Sequence, residues 1–176
     1  MLDLIIKNGQ CYINGQLENK DIGVKDGKIL KIGGVSEDAK ETYDAKNQTV
    51  LPGCIDTQTH FREPGSTDTE DLNSGSRAAI AGGITSVFEM PNTNPPTSTK
   101  LEFQKKLDLA KNRMYCNYAF YFGATADNAN ELADLKNLEG CCGIKLFAGS
   151  STGNLLVADE KAVSYTHLTL PTNREV

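Results

Sequence analysis

The sequence has 176 residues, a formal charge of −5, 23% charged and 39% apolar side chains. This is the balance of a globular chain with one domain, or one domain and part of another. Mild acidity gives no electrostatic case for nucleic acid or an anionic membrane, and no apolar run approaches the ~20 residues of a membrane span.

Residues 1–35 alternate short apolar runs with glycine turns: LDLIIKNG, CYINGQ, DIGVKDG and KILKIGG. The NG and DG pairs supply the positive φ that tight hairpins need, so these runs predict a small antiparallel β unit. Residues 36–49 are polar and predict a connection with an edge strand. The start, MLDLIIKNGQ, lacks the basic flank and cleavage site of a signal peptide. The five cysteines, Cys11, Cys54, Cys116, Cys141 and Cys142, include no CxxC pair. An odd count without that spacing suits buried thiols in a reducing cytoplasm rather than a disulfide framework.

From Val50 the rhythm changes. VLPGCID, ITSVFEM, MYCNYAFYFG and CCGIKLFAG read as strands starting near 50, 84, 115 and 142. Between them, TEDLNSGSRAAIAGG, STKLEFQKKLDLAKNR and NANELADLKNLEG read as helices, the second capped by Ser98 or Thr99. Near-continuous apolar strands alternating with helices predict a parallel α/β sheet, either part of a barrel or an open doubly wound sheet. No GxGxxG or GxxxxGK[ST] phosphate loop is present.

In parallel α/β folds the site is built at the C-terminal strand ends. There the first strand delivers Asp56, Gln58, His60, Arg62 and Glu63, the second Glu89 and PNTNPPT, and the fourth Lys145 and GSSTGN. Alternate residues of an extended chain share a side, so Gln58, His60 and Arg62 do so if the strand runs that far. His60 suits a metal ligand or a hydrogen-bonded histidine at a strand end. Gln58 is a poor zinc ligand beside imidazole; its plainer use is to orient water or substrate. Asp56 suits a supporting hydrogen bond behind a ligand. Arg62 suits a carboxylate through its planar fork, or a salt bridge to Glu63 or Asp68. Asn92 lies in a proline-stiffened loop that would hold either a ligand or a plain turn. Lys145, in an apolar strand with Gly143 and Phe147 on its side, has three readings. It pairs with a carboxylate, it reaches to the rim, or its amine is modified to an anionic carbamate.

VLPGCIDTQTHFREPG, EMPNTNPPT and GIKLFAGSSTGNLL, in this order, resemble the dihydroorotases of the amidohydrolase superfamily, with allantoinases and hydantoinases as relatives. The resemblance spans roughly residues 1–162. It implies an α/β fold: the N-terminal half of a (β/α)8 TIM barrel at 50–162, about four βα units, preceded by a small β-sandwich segment at 1–49. It implies one or two zinc ions, whose bound hydroxide opens a cyclic amide, here dihydroorotate, with the reverse reaction closing N-carbamoyl-L-aspartate in pyrimidine synthesis. His60 then matches the second histidine of an HxH pair, Lys145 a bridging carbamylated lysine, and Arg62 and Asn92 the holders of the substrate carboxylate. A homo-oligomer or an association with aspartate carbamoyltransferase are the partners it suggests.

Two departures stand out. Gln58 occupies the place of the first histidine of HxH, which allows a single-metal site or a non-catalytic homologue. Only four of eight strands are expected, so this fragment by itself is predicted to be inactive and poorly folded, with an unpaired sheet edge. The tail VSYTHLTLPTNREV resembles translated adapter sequence. Residues 163–176 are therefore expected to be foreign to the fold, and His167 is not taken as a ligand.

Overall fold

The computed structural model describes residues 1–149 and 155–157. It divides into two compact units, Met1–Pro52 and Gly53–Val176. In the first, β1 (Leu2–Ile13), β2 (Gln16–Lys25) and β3 (Lys28–Gly33) form an antiparallel meander. Its two hairpins turn at Asn14–Gly15 (φ 49° and 84°) and Asp26–Gly27 (φ 50° and 71°). Both central residues thus take the left-handed conformation whose twist matches the flanking strands.

The antiparallel unit expected over residues 1–35 is present, and residues 36–49 add strands beside it. Strands β4 (Ala39–Asp44) and β5 (Thr49–Val50) run parallel to β1, giving a mixed five-stranded sheet. A parallel return needs a crossover rather than a tight hairpin. Here the link between β3 and β4 carries Val35, which is buried against Leu2 and Ile5, with Ala39 packed alongside. That apolar anchor brings β4 into line beside β1. The second layer that would make this sheet a sandwich is not among the described residues.

The second unit runs β6 (Cys54–Thr59), α1 (Leu72–Ala81), β7 (Ile84–Glu89), α2 (Lys100–Ala110), β8 (Asn117–Gly123), a 3-10 helix (Ala129–Asn137) and β9 (Cys141–Lys145). The four strands pair in chain order, all parallel, as a half-barrel sheet. Three strand–helix units and a fourth strand are therefore described. Asp71 caps α1 by accepting from the Ser74 amide at 2.7 Å, and Thr99 caps α2 by accepting from the Glu102 amide at 3.2 Å. The third helix is a 3-10 helix. Asn128 stands at its start but makes no capping bond. Its side-chain amide donates instead to the carbonyls of Ser98 and Gly123, both at 2.9 Å.

Phe103 of α2 packs against Phe120 and Phe122 of β8, and all three are fully buried. Each such ring contributes about 1.5–3 kcal/mol of transfer free energy. Leu72, Val87 and Leu132 extend the same core. It fixes α2 against the sheet and so sets the level at which the strand ends open into loops. Residues 163–176, including His167, lie outside the described residues, as does most of the GSSTGN loop. No helix among the described residues is long and apolar enough to cross a membrane.

Candidate active site

The four strands end at one edge of the sheet. Thr59 pairs with Glu89, Glu89 with Phe120, and Gly123 with Lys145. The polar residues singled out in the sequence lie at or just beyond this edge.

Strand β6 stops at Thr59, so the strict alternation over Gln58, His60 and Arg62 does not extend to Arg62. Arg62 takes φ 61°, a left-handed backbone rarely used by residues with a Cβ. The chain turns there into the loop carrying Glu63, Pro64 and Gly65. A second loop, from Met90 to Thr97, leaves β7 beside it. The two loops are tied by backbone bonds: the Met90 amide donates to Thr59 O and the Asn94 amide to Pro64 O, both at 2.9 Å. They touch at Gly65, which holds φ 124°; a Cβ there would lie 2.9 Å from the Asn94 Cβ. Glycine is required on both counts.

His60 and Asn92, one on each loop, meet at 2.9 Å between Nδ1 and Oδ1. With the amide oxygen as partner, the contact fits the tautomer protonated on Nδ1, which leaves the lone pair on Nε2. Nε2 is the nitrogen a metal would use. Arg62 is half-buried and makes no ion pair among the described residues. The salt bridge to Glu63 weighed from sequence does not form. Glu63 is buried and grips Arg113 through two bonds of 2.7 and 3.1 Å, while also accepting from the Leu72 amide at 2.9 Å. That pairing raises the Arg113 pKa above its ordinary value.

Lys145 is half-buried, with Nζ 5.2 Å from the centre of the Phe147 ring. No carboxylate faces it among the described residues. Gln58 is exposed on β6, and its backbone amide donates to Asp56 Oδ1 at 2.9 Å. Asp56 thus braces the strand end.

Beneath the two loops lies a pair that sequence reasoning missed. Glu89, the last residue of β7, forms an ion pair with Lys106 of α2, and both are fully buried. Burial pushes the Glu89 carboxyl up to about 7, against the pull of Lys106. Burial likewise holds the Lys106 amine below its ordinary range, against the pull of Glu89. A signal was present: Phe103, Lys106 and Ala110 share the buried face of α2, so a lysine occupies a core position.

Toward a metal, the described residues offer the His60 imidazole and the Lys145 amine. No group of three or more His, Cys, Asp or Glu among them could hold an ion. Two such donors do not complete the four-ligand set usual for zinc.

The amidohydrolase family model matches residues 49–165. The chain belongs to the amidohydrolase family. Among curated relatives of this amidohydrolase, a dihydroorotase of Methanosarcina mazei is 39% identical over 163 residues, covering 91% of this chain and 35% of that protein. An allantoinase of Escherichia coli is 40% identical over 149 residues, covering 84% of this chain and 33% of that protein. Among solved structures, an L-hydantoinase (dihydropyrimidinase) from Arthrobacter aurescens superposes with a TM-score of 0.86 at 29% identity. It covers 94% of this chain and 38% of that one. The amidohydrolase chain described here thus spans about a third of the length of the relatives it matches.

Proposed function

We propose that the whole protein is a zinc-dependent cyclic amidohydrolase, a dihydroorotase that interconverts dihydroorotate and N-carbamoyl-L-aspartate. The observation that carries this reading is the junction of the two loops. Arg62, a half-buried guanidinium without an acid partner among the described residues, stands two residues from His60, and His60 touches Asn92 at 2.9 Å. A planar guanidinium and an amide on stiff loops suit a carboxylate, and rigid placement lowers the entropy cost of binding it.

In this reading Arg62 and Asn92 hold the substrate carboxylate. His60 Nε2 and Lys145 would be two of the metal's ligands, Lys145 after carbamylation, with the remaining ligands supplied from outside the described residues. The metal supplies an activated water and polarises the amide carbonyl. Gln58 adds no strong donor, so the site would hold one ion more readily than two. The half-barrel sheet is read as the first half of a (β/α)8 barrel over 50–162, and residues 1–49 as the small β segment that precedes it.

The similarity to allantoinase supports a second reading, a cyclic amidase acting on an uncarboxylated ring. Hydrolysis of dihydroorotate, allantoin and a hydantoin by the protein of the complete reading frame, with zinc supplied, separates the two. Turnover of dihydroorotate that a chelator removes is the expected result. Turnover of only the uncarboxylated rings would favour the second reading. No turnover in a folded, zinc-loaded protein would favour a non-catalytic subunit, such as one supporting aspartate carbamoyltransferase.

A further inference from the structure

The buried Glu89–Lys106 pair touches both loops of the candidate site. Glu89 Oε1 accepts from the Phe61 amide at 3.2 Å. Phe61 lies between His60 and Arg62 and is itself buried. Lys106 Nζ donates to Met90 O at 3.3 Å and to Thr97 Oγ1 at 3.5 Å. Met90 and Thr97 are the two ends of the loop that carries Asn92. The Thr97 amide in turn donates to Pro91 O at 2.9 Å, which closes that loop on itself. Lys106 also lies 5.1 Å from the centre of the Phe120 ring, which fixes its stem in the core.

We propose that Glu89 and Lys106 are positioning residues: a buried strut that sets the His60–Arg62 loop and the Asn92 loop in one frame. Each member serves a different loop. The carboxylate holds the first through one backbone donor, and the ammonium holds the second through one backbone acceptor and one hydroxyl. Their mutual ion pair couples the two grips.

A hydrophobic contact of the same volume would stabilise the core as well or better, because desolvating two charges offsets much of their attraction. What an apolar pair cannot do is receive the Phe61 amide or reach Met90 O. His60 and Asn92 tie the outer parts of the two loops, and the Gly123 amide holds Thr97 O at 2.8 Å from β8. The backbone ties between the loops run from Met90 to Thr59 and from Asn94 to Pro64. Neither backbone tie reaches Phe61 or Thr97. A second glutamate, Glu63, lies near enough to push the Lys106 amine up and the Glu89 carboxyl further up. It is engaged by Arg113 and serves the outer end of the first loop. The inner end belongs to the strut.

This inference rests on reading His60, Arg62 and Asn92 as the substrate-side groups, yet its test needs no substrate. Hydrogen exchange read by mass spectrometry is measured on the protein of the complete reading frame. The peptides followed cover residues 60–66 and 91–98.

In Glu89→Met/Lys106→Met, an apolar pair replaces the ions. The melting midpoint is expected to stay near the parent's, while exchange in both loops rises about ten-fold, the effect of losing one hydrogen bond in the first loop and two longer ones in the second. In Glu89→Gln/Lys106→Met, the amide oxygen again accepts from Phe61. Exchange is expected to return to the parental rate in 60–66 and to stay fast in 91–98. That split is one a merely stabilising core pair would not give.

Unchanged exchange in both loops of either double variant would overturn the strut. So would loops that loosen together in both variants, since that reports general softening. Should the Met/Met protein fail to fold, the Gln/Met protein alone decides through its 91–98 peptides, and Thr97→Val, which removes one grip of Lys106, gives a second reading of the same loop. Loss of turnover on dihydroorotate with parental exchange would sink the strut alone. Parental turnover on a different ring, with the exchange pattern above, would sink the substrate assignment alone.

Discussion

Lys106 and Lys145 invite comparison, because each sits over a phenylalanine at about the same distance, 5.1 and 5.2 Å. Lys106 is fully buried in the body of the unit and faces Glu89. Lys145 is half-buried at the rim and faces no carboxylate among the described residues. A ring face offers a cation about 0.5–1 kcal/mol where water still reaches it, too little to justify full burial of an ammonium. The partner decides the depth. With a carboxylate the amine becomes part of the frame; without one it stays at the edge, where chemistry can reach it.

The largest expected effect separates the two directly. Above about pH 7, where Glu89 is ionised, Lys106→Met leaves a buried carboxylate unpaired and is expected to cost about 3–5 kcal/mol of stability. Lys145→Met loses only the ring contact, about 1 kcal/mol or less, and on the proposed function removes turnover by the whole protein. Denaturant midpoints together with initial rates check both. Equal destabilisation by the two substitutions would break the comparison.

A smaller effect is expected at the loop contact. Gly65→Ala puts a Cβ 2.9 Å from that of Asn94 at a φ of 124°. A cost of about 1–3 kcal/mol follows from the backbone alone. The substitution also parts the loops, so KM for dihydroorotate is expected to rise more than kcat falls. A parental KM would mean that the loop junction does not bind substrate.

A third effect concerns pH. Glu89 holds its proton in the fold up to about 7, against an ordinary value of 4.5. Between those values the folded chain binds more protons than the unfolded chain, so this group makes stability fall as pH rises from 4.5 to about 7. Lys106 and Glu63 are the charged groups acting on Glu89; Lys106 and the Phe61 amide oppose the upward shift, and Glu63 adds to it. Glu89→Gln is expected to flatten that slope in urea melts taken across the window. A slope that persists in the variant would place the titration elsewhere.

Most of the second unit was legible in the sequence because its signals are local. The β-branched run at 84–89 and the capped, periodic run at 100–110 gave their elements directly. The first unit was half legible. Asn-Gly and Asp-Gly announced the hairpins, but no local signal states that β4 runs parallel to β1; that depends on Val35 finding Leu2 and Ile5 across the sheet. At the site, His60, Arg62, Asn92 and Lys145 stood out as polar groups at strand ends. Lys106 did not, because it hides on the buried face of a helix rather than at an edge. Arg113 did not, because its partner Glu63 lies fifty residues away in sequence.

The hydrogen bond between His60 and Asn92 also makes this chain easy to watch. It has two histidines, at 60 and 167, so a spectrum of imidazole nitrogens contains one ring from the loop junction and one from the tail. A proton fixed on Nδ1 gives the two nitrogens of His60 distinct signals. The tautomer then reports which way the Asn92 amide faces, a choice that heavy-atom positions alone do not reveal.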